Sequence, residues 1–420
     1  MKSKISILCA LTMTCAVVFT GCKVRYENDN VETTSEEKQI VTEMVPKDDS
    51  SDSIKIRYSG SAYTEYLNKC KTEFEKKYSG TEVILEQVEK ENYLVNIGND
   101  SSEGKDVPDL YIIGTDELST AYLAGLASKV QSDVFVEENY DDTAINACSY
   151  NGTMVAYPIS FKTTFLTYNT AYVESDQAYT IEEIKQYSDE ADFSKSGVMV
   201  KKIFGCNISD LFMNYGFLGY GIDIGGMDGC DKEVFSVYND TTVKASGAYV
   251  ELIQYFSLDS KLKYEDSVAE LMTGETVFSI VSTDTLAELE NCEQEFVYCE
   301  FPDYDDTDKT SPLSITTALV INPYGVKSGT AIAFAEFMAG EMASELYSYS
   351  GLMSTNKNVY SGDKFEGIYK SYLKSSSKNK LKYGEQAYPL IEIAMHNIAA
   401  GEDAAEQLKS VDDYMKKQLG

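Results

Sequence analysis

The chain of 420 residues is long enough for two domains, and its 43% hydrophobic and 12% aromatic content is typical of a globular protein. Acidic residues outnumber basic ones 68 to 36, which gives a formal net charge of −32. This balance argues against nucleic-acid binding, which neutralises phosphates with Lys and Arg, and against electrostatic docking on anionic lipids. We attribute the acidity to solubility outside the cell.

Residues 1–21 have the pattern of an export signal. Lys2 and Lys4 are followed by an uncharged, mostly apolar run that is shorter than the roughly 20 residues needed to span a bilayer. The small residues before Cys22 resemble the lipobox of bacterial lipoproteins, although Phe19 stands where that pattern usually has Leu. We therefore expect a lipoprotein signal peptide at 1–21 and a lipid on Cys22. The alternative is an ordinary cleaved signal with an incidental cysteine.

Residues 22–53 are predicted to form a flexible tether. The segment is polar, with clusters such as SEEKQ and KDDSSDS, and few apolar residues recur at any period. Such a stretch cannot bury enough surface to offset the entropy of its chain. It would link a membrane anchor to a folded body that begins near residue 54.

Six cysteines follow Cys22, namely Cys70, Cys148, Cys206, Cys230, Cys292 and Cys299. An even number in an exported chain permits disulfides but does not demand them. There is no CxxC motif and only one histidine, so zinc-ligand spacing is absent and we expect no metal site. Cys70 falls on an apolar helix face and is expected to be a core thiol. Cys292 and Cys299, which are close in sequence, are the pair to test first for a disulfide.

The folded part opens with alternating strands and helices. Strands are predicted at 53–60, 81–89 and 106–114, and helices at 63–78, 91–100 and 116–130. The third strand is nearly all apolar, as expected of a strand that is buried on both faces. This order of elements predicts a parallel sheet with right-handed crossovers.

The later part of the chain predicts a second lobe. Residues 149–173 are β-branched and aromatic, and we expect two extended segments there that pass from one lobe to the other. A helix at 180–191, a helical and loop-rich region at 205–275, strands at 276–283 and 311–323, a helix at 330–347 and two tail helices follow. The two late strands indicate that the chain crosses between lobes more than once. A cleft between α/β lobes is where such folds bind ligands.

These motifs, in this order, resemble the family 1 extracellular solute-binding proteins of bacterial ABC importers, the maltose-binding type. The resemblance covers nearly the whole mature chain and is carried by FEKKYSGTEVILEQV, VPDLYIIGTDELSTAYLAGLASKV, YNGTMVAYPISFKTTFLTYNTAYV, FSIVSTDTLAEL and ITTALVINPYGVKSGTAIAFAEFMAGE. It implies a periplasmic-binding-protein-like fold of type II, with two discontinuous α/β lobes joined by hinge strands. The lobes would be 54–161 with 278–322, and 162–277 with 323–420. The implied crossings lie near Ser160–Lys162, Ser279 and Asn322–Val326.

The resemblance also implies a function. The protein would be a monomeric lipoprotein on the extracytoplasmic face of the cell membrane. It would capture a solute, with saccharide favoured, and deliver it to ABC permease subunits by closure, without catalysis and without a cofactor. Polyamine or iron remain alternative solutes, and presentation of the ligand to a sensor is an alternative role. A secreted hydrolase is a further alternative.

Residue by residue, the resemblance implies that strand ends facing the cleft contact the ligand. The implied residues are Ser59, Gly60, Ser61, Gly114, Thr115, Asp116, Phe161, Lys162, Thr163, Asn214, Tyr215, Ser282, Thr283 and Asp284. Asp116 matches a sugar-binding acid, and carboxylates accept hydrogen bonds from sugar hydroxyls. The chain has no Trp, and Ile113 stands where the maltose-binding type has an aromatic, so stacking would fall to some of the 32 Tyr residues.

Three other motifs fail as signatures of different chemistry. GYGIDIGG (219–226) lacks both the spacing of a dinucleotide fingerprint and the ending of a P-loop, so we expect a turn-rich connection. DYDDTD (303–308) lacks the glycine and the closing acid of a calcium loop, so we expect a solvated acidic loop, with weak surface Ca²⁺ as the alternative. His396 is the only histidine and no GxSxG elbow accompanies it, which argues against a hydrolase.

Overall fold

The computed structural model describes residues 52–174, 178–192, 200–325 and 328–419. The predicted signal peptide, Cys22 and all but the last two residues of the predicted tether lie outside the described residues, as does Val326 at the third predicted crossing. Within the described ranges, no helix is both long and apolar enough to cross a membrane.

The elements follow one another in three stretches of chain. The first stretch contains β1 (Asp52–Ser59), α1 (Thr64–Lys77), β2 (Thr81–Val88), α2 (Tyr93–Glu103), β3 (Leu110–Gly114), α3 (Leu118–Leu123), α4 (Asp133–Asn139), α5 (Asp142–Ala147), β4 (Ser149–Tyr150), β5 (Thr153–Met154) and β6 (Tyr157–Lys162). The second contains β7 (Thr164–Asn169), α6 (Ile181–Glu190), β8 (Lys202–Gly205), α7 (Leu211–Asn214), α8 (Gly216–Gly219), β9 (Asp223–Ile224), β10 (Phe235–Ser236), α9 (Asp240–Phe256), α10 (Tyr264–Met272), β11 (Thr276–Ser282), α11 (Leu286–Glu290) and β12 (Phe296–Cys299). The third contains β13 (Leu313–Ile321), α12 (Ser328–Ala339), α13 (Leu346–Ser350), β14 (Met353–Ser354), α14 (Glu366–Leu373), β15 (Ser376–Ser377), α15 (Lys382–Ala399) and α16 (Ala404–Leu419).

A seven-stranded sheet organises what we call the first lobe. Its order is β14-β6-β13-β3-β1-β2, and β15 pairs with the start of β13. β1 runs parallel to β2 and β3, as the alternating sequence pattern predicts, while β13 is antiparallel to both β3 and β6. On α1, Leu67, Cys70 and Phe74 are fully buried, which confirms the predicted face. Phe74 meets Phe334 of α12 edge to face at 5.0 Å. Burying a side chain of this size contributes roughly 1.5–3 kcal/mol.

A four-stranded sheet of order β12-β7-β11-β8 organises the second lobe. α6, α9, α15 and α16 contribute side chains to its core. The helix predicted at 180–191 starts with a capping box, in which Thr180 accepts from the Glu183 amide while Glu183 accepts from the Thr180 amide. The two predicted tail helices are present as α15 and α16, and each buries an apolar face that includes Met395 and Met415 respectively.

The chain changes sheets in places that the sequence did not predict. β11 pairs with β7 and β8 in the second sheet, although 278–322 was expected in the first lobe. Every residue of β11 is buried, so its apolar run could not indicate which sheet it joins. α12 packs on the first sheet and β14 pairs with β6 there, although 323–420 was expected in the second lobe. A lobe is defined by how it moves, and the pairing of strands does not report motion. The exact lobe boundaries therefore stay a prediction.

The helix predicted over 330–347 is shorter than expected, and the Cys292–Cys299 pair that the sequence left open is not a disulfide. The helix expected over 330–347 ends at Ala339, just before Gly340, and α13 begins only at Leu346. Cys292 is a free thiol whose Sγ lies 3.2 Å from the Leu289 carbonyl oxygen, so it does not bridge to Cys299. The extended strand β12 carries Cys299 away from Cys292, at roughly 3.3 Å per residue.

Candidate functional site

Several strand ends of the first sheet meet at one edge. Gly114 at the carboxyl end of β3 pairs with Thr317 of β13, and Thr317 also pairs with Ser160 near the end of β6. Because β1 is parallel to β3, Ser59 ends at the same edge. The second lobe faces this edge through α8, the loop around β9 and the start of α15. This edge is where an α/β sheet commonly binds ligand.

A cavity of about 370 Å³ lies between the two lobes beside this edge. The first lobe contributes Asp142, Thr143 and Asn146 from α5. The remaining lining residues are Tyr215, Tyr220, Ile222, Asp223, Ile224, Gly226, Met227, Gly229, Ser375, Ser376, Ser377 and Tyr388. The lining therefore combines aromatic faces from the second lobe with carboxylate, amide and hydroxyl groups from both sides.

Two tyrosines form the most enclosed wall of this cavity. The rings of Tyr215 and Tyr388 lie 6.4 Å apart, tilted by 57°. The Tyr388 hydroxyl accepts a hydrogen bond from the backbone amide of Asn379 at 2.9 Å. Burial raises the pKa of Tyr388 to about 12 and the pKa of Tyr215 well above its usual value. Both rings therefore stay neutral at physiological pH, and because Tyr215 is only 2% exposed, Tyr388 provides most of the accessible aromatic surface.

Asp116 forms an ion pair with Lys378, which directly follows the cavity-lining residue Ser377. It lies in the short 3₁₀ turn after β3, and its carboxylate receives the Lys378 ammonium at 2.8 Å. Both side chains are about a quarter exposed. Gly114 permits this geometry, because an added Cβ there would lie only 2.5 Å from the Asp116 carboxylate. The pair balances the acid with a cation supplied from the other end of the chain.

Lys162 and Thr163, at the first predicted crossing between lobes, lie beside Thr283 and Asp284, which follow β11. Lys162 forms an ion pair with Asp284, and its ammonium lies 4.8 Å from the Phe212 ring centroid. The Thr283 amide donates to the Thr163 carbonyl at 3.0 Å. These contacts join the end of β6 to the end of β11, so they connect the two sheets.

Several predicted residues turn their side chains toward internal partners. Phe161 stacks on Tyr372 at 4.1 Å, and the Thr163 hydroxyl donates to the Leu313 carbonyl at 3.0 Å. Asn214 is 1% exposed and donates to the Ile208 carbonyl at 2.8 Å. Thr115 and Ser282 are also buried: Ser282 accepts from the Asp284 amide at 3.3 Å.

The residues after β1 lie beside a different opening. Gly60 has a left-handed φ of +74°, which turns the chain so that Ser61 lines an open groove of about 940 Å³. α11 and α13 form the rest of that groove. It is larger than the 370 Å³ cavity and is also lined by two tyrosines, Tyr347 and Tyr349, but it is more open to solvent. We therefore take the smaller cavity as the candidate site.

The family model described as "Bacterial extracellular solute-binding protein" matches residues 54–371. The chain belongs to this family. No curated protein matches it in sequence. Solved structures support the assignment at the level of the fold, and confirm the predicted periplasmic-binding-protein-like architecture.

Three of these structures illustrate the likeness. An extracellular solute-binding protein from Staphylococcus aureus, in complex with maltose, has a TM-score of 0.76 at 18% identity and covers 88% of this chain and 98% of its own. A maltose-binding periplasmic protein from Listeria monocytogenes, also with maltose, gives 0.74 at 16% identity, with coverages of 88% and 98%. A cyclo/maltodextrin-binding protein complexed with maltotetraose gives 0.73 at 18% identity, with coverages of 88% and 97%.

The sequence did not point to several cavity residues of this solute-binding protein. Ser376 and Lys378, which is the partner of Asp116, precede α15, and Tyr388 lies on α15, far along the chain from the strand ends that carry the resemblance. The only signals there are a polar run, SSSKNK, and a tyrosine placed directly before Pro389 within a helix. Neither is specific enough to predict a binding site.

The motifs that suggested other chemistry have structural roles in this solute-binding protein. Gly225 and Gly226 adopt left-handed φ values in a turn beside the cavity, as expected for 219–226. In the acidic loop, Asp303 pairs with Lys374 at 2.9 Å, and Asp305 accepts from neighbouring amides. His396 lies on α15, with Nε2 at 3.2 Å from the Ser209 carbonyl oxygen. In the part of the chain that the structure describes, no three His, Cys, Asp or Glu side chains cluster as metal ligands.

Proposed function

We propose that this solute-binding protein captures a neutral saccharide in the 370 Å³ cavity and hands it to the permease subunits of an ABC importer, without turnover. The carrying observation is the wall formed by Tyr215 and Tyr388, which faces the polar side chains of α5 across the cavity. A sugar has one C–H-rich face for stacking and a rim of hydroxyls for hydrogen bonds. The saccharides bound to three structurally similar proteins support the same solute class.

Two ion pairs near the cavity are internally balanced, while the lining itself contains the carboxylates of Asp142 and Asp223. Asp116 is paired with Lys378, and Lys162 is paired with Asp284, so each of these cations already has an acidic partner. An anionic solute would have to compete for a lysine, whereas a polyamine would also find the Asp142 and Asp223 carboxylates in the lining. A sugar hydroxyl instead donates to a carboxylate oxygen without displacing its lysine. We therefore keep polyamine and ferric iron as outcomes of the test.

We assign roles within the predicted ligand set as follows. Asp116 accepts hydrogen bonds from the sugar, and Tyr215 stacks against it together with Tyr388. Lys162 and Asp284 border the site at the crossing between lobes. The remaining predicted residues support these groups or border the cleft: Ser59, Gly60, Ser61, Gly114, Thr115, Phe161, Thr163, Asn214, Ser282 and Thr283.

We also propose that the protein is a monomer that is anchored on the extracytoplasmic face of the cell membrane by a lipid on Cys22. The lipobox-like signal and the polar segment after it support this placement. Palmitate labelling of cells that express the full chain tests it. Incorporation that Cys22→Ala abolishes is the expected result, whereas equal labelling of the variant would contradict the anchor.

A thermal-shift screen against mono- and oligosaccharides, spermidine and ferric iron tests the solute class. A solute that binds only the native state raises the melting temperature by mass action. We expect a shift with a saccharide, and we expect Tyr388→Ala to remove it. Tyr414→Ala is the matched control, because Tyr414 is exposed on α16, and it should keep the shift. A shift with spermidine or iron alone would overturn the saccharide assignment.

A further inference from the structure

Lys380 is a buried lysine at the junction of the two lobes. It lies between β15 and α15 and is only 3% exposed. Its backbone amide donates to the Gly229 carbonyl at 3.0 Å, which ties it to a loop of the second lobe. Its side chain crosses to the first lobe, where the ammonium donates to the Asn146 carbonyl of α5 at 2.9 Å.

The Lys380 ammonium holds carbonyls from both lobes at once. Besides Asn146, it donates to the Asp228 carbonyl of the second lobe. The Lys380 carbonyl in turn accepts from the Ser119 hydroxyl on α3 of the first lobe. One residue therefore makes hydrogen bonds to two first-lobe helices and to one second-lobe loop.

The second-lobe loop reaches the first lobe at two further points. The Gly152 amide, in the turn between β4 and β5, donates to the Asp228 carboxylate at 2.9 Å. The Cys230 thiol lies 3.9 Å from the Ser149 carbonyl oxygen of the same hairpin. Gly229 permits the close approach, because its φ is +68° and an added Cβ would lie 3.1 Å from the Asn379 backbone. Lys380 stands at the centre of these cross-lobe contacts.

Burial of the Lys380 ammonium couples its hydrogen bonds, so that we expect them to form and break together. An ammonium has three donors and no acceptor, and burying it is costly unless the donors are satisfied. Burial lowers the pKa of Lys380, which reflects that cost. If the lobes separate, the Asn146 and Asp228 carbonyls move apart and water must replace one of them. The bonded arrangement requires that the Asn146 and Asp228 carbonyls stay within reach of one ammonium.

We propose that Lys380 is the positioning residue that fixes lobe closure and thereby tunes solute affinity. It is not among the residues that line the cavity, although its partners Asn146 and Gly229 are. It therefore acts through the separation of the lobes and not through contact with solute. The affinity part of the proposal rests on the proposed function, whereas the closure part does not.

Hydrogen–deuterium exchange of the full chain without solute tests the closure part. The Gly152 amide is bonded across the lobes, so opening exposes it to exchange. We expect Lys380→Met to speed exchange in the 149–156 hairpin about tenfold or more, while exchange in β1 stays unchanged. Lys382→Met is the control, because Lys382 is exposed two residues away, and it should leave both regions as in the unsubstituted protein. Equal hairpin exchange in the two variants would overturn the proposal.

A second variant distinguishes separation of the lobes from a general loss of stability. Ser119→Ala removes only the hydroxyl that donates to the Lys380 carbonyl, and it touches neither Gly152 nor Asp228. Faster hairpin exchange with unchanged β1 exchange supports the proposal here too. If Ser119→Ala leaves the hairpin unchanged, and Lys380→Met speeds exchange everywhere, the proposal fails.

Titration with maltose tests the affinity part. An equilibrium that is shifted toward open lobes lowers the apparent affinity by the fraction that remains competent to close. We expect maltose to bind Lys380→Met about tenfold more weakly than Lys382→Met. Equal affinities would contradict a role in binding. Absence of maltose binding in every protein would count against the proposed solute, and the exchange result would still decide the closure part.

Discussion

At the scale of single residues, the site depends on how each charge is balanced. Asp116 is held beside Lys378 by a glycine that leaves room for its carboxylate. The position of Asp116 directly after β3 could be predicted from the sequence, because it follows a recognisable strand, while its contact with solute stays a prediction. Lys378 could not be predicted, because the pair spans the chain and a lone lysine in a polar run has no periodic signal.

Replacement of Asp116 should affect binding far more than folding. Asp116→Ala removes an acceptor for sugar hydroxyls, and a hydrogen bond to a charged group contributes about 1.5–3 kcal/mol. We expect saccharide affinity to fall about tenfold to a hundredfold by titration calorimetry. The melting temperature should change little, since the ion pair is partly exposed. Asp413→Ala, an exposed change on α16, should alter neither quantity. A large loss of melting temperature in Asp116→Ala would instead indicate a structural role.

Asp303 should make stability depend on pH. Partial burial opposes its ionisation, but hydrogen bonds from Lys374 and the Thr310 amide hold the pKa of Asp303 below its usual value. A lowered carboxyl pKa stabilises the fold above the unfolded pKa, and that contribution is lost as pH falls through the folded pKa. Asp303→Asn should therefore lower the melting temperature at pH 7, and the difference from the unsubstituted protein should shrink on acidification. A difference that persists at acid pH, or an equal loss in exposed Asp306→Asn, would contradict this.

At the scale of elements, periodic patterns were reliable where the element was long. The buried faces of α1, α15 and α16 follow directly from apolar spacing, and the capping box marks the start of α6. The sheet that β11 joins was not predictable, because a strand buried on both faces carries no directional pattern. Strands of two residues, such as β14 and β15, depend on tertiary pairing and have no signal of their own.

Two helical glycines should respond to alanine in opposite ways. A Cβ at Gly367 would lie 2.3 Å from the Tyr298 carbonyl oxygen, so α14 could no longer approach β12. Gly367→Ala should cost about 1–3 kcal/mol in the free energy of unfolding, as overpacking does. Gly247 on α9 has open space around its Cβ position, so Gly247→Ala should stabilise by roughly 0.5–1 kcal/mol. Denaturant unfolding measures both changes, and a neutral Gly367→Ala would contradict the close approach.

At the scale of the whole molecule, two sheets share one chain that passes between them repeatedly. The described residues fall within a single compact unit. The two-lobe architecture could be predicted, because the order of motifs reflects the fold. The residues that line the cavity could not all be predicted, because Tyr388 and α5 are far apart in the sequence and meet only in the folded chain.

A crystal structure grown with the saccharide that gives the largest thermal shift tests the central claim most directly. We predict that the sugar lies between the lobes, with one ring against Tyr215 and Tyr388 and a hydroxyl donating to Asp116. Clear density for the sugar in the open groove at Ser61, with the tyrosine-walled cavity left to water, would contradict the account.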